Sequence, residues 1–183
     1  MNFIETNLKG CFIIEPKVFH DARGYFMESF NQNIFNKGIG QEVTFVQDNQ
    51  SYSTKGVLRG LHYQTGAYAQ AKLVRVLQGE VLDVVVDMRP ESETYGQSYS
   101  VLLSEENKKQ VFIPRGFAHG FLVVSETATF FYKCDNFYNA ASDGGFIYND
   151  PTMNIDWGFA EENLIIAEKD KVLPTFKNAK KAW

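Results

Sequence analysis

The segment Lys72-Leu73-Val74-Arg75-Val76-Leu77-Gln78-Gly79-Glu80-Val81-Leu82-Asp83-Val84-Val85-Val86-Asp87 decides the fold class. Two runs of valine and leucine flank one glycine. β-Branched residues suit a pleated, half-buried surface, and glycine supplies turn geometry that a bulkier residue resists. The segment reads as a hairpin from Lys72 to Asp87 turning at Gly79. Similar short runs follow at Tyr99 to Leu103, Gln110 to Ile113, Gly120 to Val124 and Thr127 to Lys133, with Gly, Pro, Asn or Ser between them. Short strands with turn signals between them predict an all-β sandwich or barrel. Helix is scarce. Asn31 to Lys37, closed by Gly38, reads as one short helix, and Glu161 to Lys171 as a second.

The 183 residues fit one domain spanning 1–183, long enough to bury a core. An aromatic share of 15%, with 16 Phe and 9 Tyr, favours β structure. A net charge of −4 argues against a nucleic-acid partner, which needs a basic surface. It leaves room for a small phosphorylated ligand, which two or three placed arginines can hold. Cys11 and Cys134 stand far apart and form no metal-ligand or disulfide pattern, which reads as two reduced thiols in a cytoplasmic protein. No signal peptide is visible, and no apolar run is long enough to span a membrane. No Gly-rich phosphate loop follows a strand, which removes the usual dinucleotide and P-loop readings.

Chemistry must come from a small set of groups. The three histidines are His20, His62 and His119, and histidine alone titrates near neutrality without perturbation. His62 lies in Leu58-Arg59-Gly60-Leu61-His62-Tyr63-Gln64, a site-like cluster; a lone histidine there reads at least as well as a hydrogen-bonded structural residue. His119 closes Pro114-Arg115-Gly116-Phe117-Ala118-His119, whose Pro-x-Gly-x-x-His spacing resembles the second motif of the cupin superfamily of small β-barrels. Many cupins hold a metal with a His-x-His pair and a distant Glu. Here Gln64 stands two positions after His62, and no carboxylate occurs between His62 and Lys72. The expectation is therefore no metal and no cofactor, with the histidines serving as acid–base groups. Arg23, beside Gly24, could bind a phosphate through its forked guanidinium, and Phe19 or Phe26 could stack on a base; an edge strand with Arg23 and Glu28 in water is the plainer reading. Lys72 could point into a barrel. Alternation puts Tyr132 on the face of Phe130, where a core tyrosine is the commoner outcome. Asp170 closes a charged triplet, Glu168-Lys169-Asp170.

Taken in order, these segments resemble the dTDP-4-dehydrorhamnose 3,5-epimerase family. The resemblance rests on Phe19-x-Asp-x-Arg-Gly-x-Phe-x-Glu28, on Gln47-Asp48-Asn49-Gln50-Ser51, and on the stretches around His62, Ala69 to Val76, and Ile113 to Phe121. Asn149-Asp150-Pro151 and Glu168-Lys169-Asp170 complete it. It implies a cupin-type jelly roll with a few short peripheral helices, and an enzyme acting on a dTDP-4-keto-6-deoxy sugar without a cofactor. It implies His62 as the base beside the C4 ketone, Asp170 as its orienting partner, Lys72 on the developing enolate oxygen and Tyr132 as the acid on the opposite face. It further implies Arg23, Arg59 and Lys169 on the diphosphate, Glu28, Gln47 and Asn49 on the thymidine part, Tyr138 and Phe26 as stacking candidates, and His119 near the diphosphate or sugar. Asp143 stands where members more often carry Glu. The family implies a homodimer with exchanged strands, so Arg23 and Glu28 would serve the partner's site. The alternatives are an enzyme inverting one carbon, a ketoisomerase on a related nucleotide sugar, a metal-dependent cupin enzyme, and a carbohydrate-binding module without catalysis.

Overall fold

The computed structural model describes residues 1–182. Its strands in chain order are β1 (Asn2–Glu5), β2 (Phe12–Glu15), β3 (Val18–Asp21), β4 (Gly24–Met27), β5 (Gln47–Thr54), β6 (Val57–Gln64) and β7 (Lys72–Gln78). There follow β8 (Glu80–Asp87), β9 (Ser98–Ser104), β10 (Gln110–Ile113), β11 (Phe117–Val123), β12 (Thr127–Cys134), β13 (Asp143–Gly145) and β14 (Ile165–Ile166). The helices are α1 (Gln32–Ile39) and α2 (Glu168–Lys171), with a few single 3-10 turns. One sheet runs β1-β2-β10-β7-β12-β5. The other runs β13-β6-β11-β8-β9, and β14 joins it beside β6. All pairings are antiparallel except β14 with β6. The sheets pack face to face as a jelly-roll sandwich, and β3–β4 forms a separate two-stranded arm. Among the described residues no helix is long and apolar enough to cross a membrane.

The expected hairpin is an arch. β7 pairs β10 and β12, whereas β8 pairs β9 and β11, so the chain changes sheets at Gly79. Val74 and Val76 meet Val81 and Val85 across the sandwich in one core, with Leu103, Phe121 and Phe130. Gly79 has φ +76°, and a Cβ there would lie 2.0 Å from the Thr127 carbonyl oxygen. Only glycine fits that corner.

The helical expectations shift too. In α1 the Asn31 side chain accepts from the Asn33 and Ile34 amides, a standard N-cap. The left-handed closing residue is Gly40, not Gly38. Gly38 sits inside the helix because a Cβ there would fall 2.4 Å from the Phe3 ring. The segment from 161 to 171 is not one helix. Ile165 and Ile166 pair with Val57 and Leu58, leaving a 3-10 turn before them and the single turn of α2 after. Two β-branched residues beside an open strand edge outweigh the helical pattern.

One irregularity positions the chemistry. On β11 His119 faces His62, and Phe121 faces Arg59. Two residues of β11 therefore span three of β6, which makes a bulge at Gly60. Gly60 has φ +131°, and its missing Cβ would lie 2.6 Å from Gly120 Cα. We expect Gly60→Ala to cost about 3 kcal/mol, from backbone strain and overpacking together. A shift of the urea midpoint at unchanged slope measures it, and an unshifted midpoint would refute the packing account.

Candidate active site

A cavity of about 670 Å³ opens between the sheets. Arg59 and His62 from β6 and His119 from β11 line one wall. Asn49 from β5, Lys72 from β7, and Phe130 and Tyr132 from β12 line the other. Tyr138 and Asp143 form part of the rim, and Lys169 and Asp170 from α2 close it. The bulge explains how Arg59 and His62 share a wall although three positions apart. Leu58, Leu61 and Tyr63 turn into the second core on the outer side of the sheet.

His62 Nε2 lies 2.8 Å from Asp170 Oδ1. The carboxylate is 3% exposed and the ring 33%, so the pair is buried at its back and open in front. Gly60 donates its amide to Asp170 Oδ2 at 3.4 Å. Burial pushes the Asp170 carboxyl up, but the hydrogen bond and charge of His62, the Gly60 amide and the Lys169 charge outweigh it and hold it below the usual carboxylate range. A carboxylate on one ring nitrogen fixes the tautomer and leaves the other nitrogen basic.

Across the cavity, Lys72 Nζ lies 5.7 Å from the centre of the Tyr132 ring. Burial lowers the Lys72 pKa, while Cys134, Asp143 and Asp83 pull it back up. Burial also raises the Tyr132 phenol, helped by Cys134 and Asp143 and opposed by Arg59. The phenol is thus kept protonated and available as an acid. His119 Nε2 lies 2.8 Å from Asp83 Oδ2, and its ring stacks 5.9 Å from Phe130. Arg59 donates to Ser53 Oγ through Nε at 3.3 Å and Nη2 at 3.1 Å.

The rim is a hydrogen-bonded chain. Gln47 donates to Asn49 Oδ1 at 3.1 Å and accepts from the Tyr138 amide at 3.2 Å. Asp143 accepts from the Tyr138 hydroxyl at 3.0 Å and from Gln64, whose Oε1 accepts the Asn139 amide at 2.9 Å. The short Asp143 carboxylate is therefore already engaged by its neighbours. Tyr138 is exposed.

Ten of the residues singled out from the sequence line this cavity: His62, Lys72, Tyr132, Asp170, Asn49, Arg59, His119, Tyr138, Asp143 and Lys169. Gln47 lies behind them, bonded to Asn49 and Tyr138. Arg23, Phe26 and Glu28 lie elsewhere, on the β3–β4 arm and just beyond it. Arg23 is 90% exposed and paired with Asp21 at 2.6 Å, Phe26 is 70% exposed, and Glu28 accepts from Asn31. None of these three lines this chain's own cavity. Gln64 was missed as a site residue, although it stands two positions after His62 on the same strand face. Asp83, behind His119, was missed too; its signal was a single acid within a run of valines. Among the described residues no three His, Cys, Asp or Glu side chains gather as a metal site.

The model of the dTDP-4-dehydrorhamnose 3,5-epimerase family matches residues 5–178. A protein of Shigella flexneri with that name is 54% identical over 170 residues, 93% of each chain. The crystal structure of a dTDP-4-dehydrorhamnose 3,5-epimerase from Elizabethkingia anophelis superposes with a TM-score of 0.95 at 54% identity, covering 100% of this chain and 99% of that one. A dTDP-6-deoxy-D-glucose-3,5-epimerase of Legionella pneumophila, solved with dTDP-4-keto-L-rhamnose, superposes with a TM-score of 0.93 at 47% identity, covering 97% and 93%. With its jelly-roll fold as the sequence resemblance implied, the chain belongs to the dTDP-4-dehydrorhamnose 3,5-epimerase family.

Proposed function

We propose that this chain inverts C3 and C5 of dTDP-4-dehydro-6-deoxy-D-glucose to give dTDP-4-dehydro-L-rhamnose, with its own side chains as the only acids and bases. The observation that carries the reading is that the base and the acid come from opposite sheets. His62 belongs to the sheet of β6 and Tyr132 to the sheet of β12, with the cavity between them. Inversion needs a proton removed from one face of a carbon and returned to the other.

The protons on C3 and C5 are acidic because they flank the C4 ketone. His62 removes one through the ring nitrogen not bonded to Asp170. The electrons move onto the ketone oxygen, and the Lys72 ammonium stabilises the resulting enolate by placed charge in a desolvated site. Tyr132 returns a proton from the opposite face. His62 then gives its proton to solvent and Tyr132 regains one from solvent, and the same set acts at the second carbon. Arg59 and Lys169 hold the diphosphate, and His119 contacts the diphosphate or the sugar. Gln47, Asn49 and Asp143 hold the thymidine end against the Tyr138 ring. Arg23, Phe26 and Glu28 serve the site of a second copy in a homodimer, a role supported by their exposure on the arm. The two buried free thiols, Cys11 and Cys134, fit a reducing cytoplasm.

Turnover of dTDP-4-keto-6-deoxyglucose in deuterated water tests the reaction. Deuterium at both C3 and C5 is expected; label at one carbon would make this a mono-epimerase, and label at neither would sink the proposal. His62→Ala should abolish exchange, at least 10²-fold, while dTDP still binds; loss of dTDP binding as well would instead give His62 a structural or ligand role. Tyr132→Phe should still exchange deuterium but no longer invert, because only the returning acid is gone. NMR of the recovered sugar separates the two outcomes, and inversion by Tyr132→Phe at the native rate would remove Tyr132 from the role.

Asp170 adds a pH dependence to stability. Its folded pKa lies below the usual value, so the ionised form stabilises the fold above the unfolded carboxylate pKa, near 4. That contribution is lost as pH falls through the folded value. Unfolding midpoints of the native chain and Asp170→Asn should therefore differ at pH 7 and converge toward pH 3, and a constant gap would contradict the sign.

A further inference from the structure

Among the described buried carboxylates to which the proposed reaction gives no task, Asp83 alone leaves an oxygen unpaired. Asp83 lies on β8 between Val81 and Val85, which face the main apolar core. Its side chain is fully buried. Oδ2 meets His119 Nε2, and Oδ1 is buried with no hydrogen-bond partner among the described residues. A carboxylate half satisfied in an apolar core destabilises a fold, and each such group calls for an explanation. Packing offers none, since an apolar residue would continue the run from Val81 to Val85.

His119 supplies one. Its ring is almost buried, lies against Phe130 and still reaches the cavity wall. With Nε2 given to a carboxylate, that nitrogen carries the proton and the other is left unprotonated. The cross-strand neighbour of His119 is His62, backed in the same way by Asp170. Two adjacent imidazoles are thus each braced by a buried acid. The Asp83 charge also reaches Lys72, where it opposes the effect of burial.

We infer that Asp83 is a positioning residue for the epimerisation: its hydrogen bond fixes the ring plane and tautomer of His119, so that His119 holds the bound sugar nucleotide in line with His62. The inference rests on the epimerase reading of this cavity. Carboxylates that orient metal-bound histidines are typically worth 10- to 100-fold when replaced, and an effect of that order is expected for Asp83.

A double-mutant cycle on the intact enzyme tests it, with dTDP-4-keto-6-deoxyglucose as substrate and Asp83→Asn, His119→Gln and the double variant compared with the native chain. Asp83→Asn should lower kcat/KM about 100-fold, while its melting temperature stays within a few degrees of native or rises. The double variant should be no slower than His119→Gln alone. A structural role would not produce that non-additivity. Fully additive losses, or a folded Asp83→Asn protein with native kcat/KM, would overturn the inference. An Asp83→Asn protein that fails to fold would assign the carboxylate to the fold and overturn it as well. A native chain without turnover would sink the epimerase reading and this inference with it, and so is distinguishable from failure of Asp83 alone.

Discussion

The close approach of β6 to β11 at Gly60 and Gly120 is the constraint on which the site depends. No side chain fits between these backbones, so both positions must be glycine. The extra residue of β6 there resets the strand's alternation. Arg59 and His62 then face the same cavity, His62 comes to lie beside His119, and the Gly60 amide is turned to Asp170. One local packing event sets the positions of a cation, two imidazoles and a carboxylate.

The sandwich divides the chemistry between its sheets. The sheet of β6 carries both histidines and Asp83, with Asp170 reaching His62 from α2, and the sheet of β12 carries Lys72 and Tyr132. Burial works in opposite senses on the last two, lowering the ammonium and raising the phenol. Both shifts come from the same low-dielectric interior that strengthens a fixed charge on a developing enolate. The apolar core around Phe121 and Phe130 is therefore part of the electrostatics of the site as well as its support. These two rings stack with centroids 4.2 Å apart, and Phe130 lies against His119 and Tyr132.

Strand positions were legible because β-branched runs and turn residues mark them locally; Gln110–Ile113 and Thr127–Cys134 lie where the pattern puts them. The partners of those strands were not legible. A period-2 pattern looks the same whether two strands lie side by side or face each other across a core, so the arch at Gly79 read as a hairpin. Glycine likewise carries two meanings. Gly38 makes room for Phe3 and Gly40 closes the helix, and only tertiary contact separates them. Most of the site residues came from the ordered family motifs. Simple alternation would have set Arg59 and His62 on opposite faces, and it takes a register shift to bring them together. Asp83 lay in plain view within a valine run, but its meaning depends on His119, 36 positions away.

Asp170 enters the site from beyond the body of the sandwich. The inner strands of both sheets end at Cys134, whereas the carboxylate that braces His62 arrives 36 residues later, by way of a two-residue strand and a single helical turn. During synthesis the chain emerges from its N-terminus, so most of the strands around the cavity leave the ribosome before the carboxylate bonded to His62. The nascent protein can close its core while His62 still lacks its partner. Assembly order thus completes the pair of His62 and Asp170 only after every residue of the first core, Leu8 to Phe130, has been made.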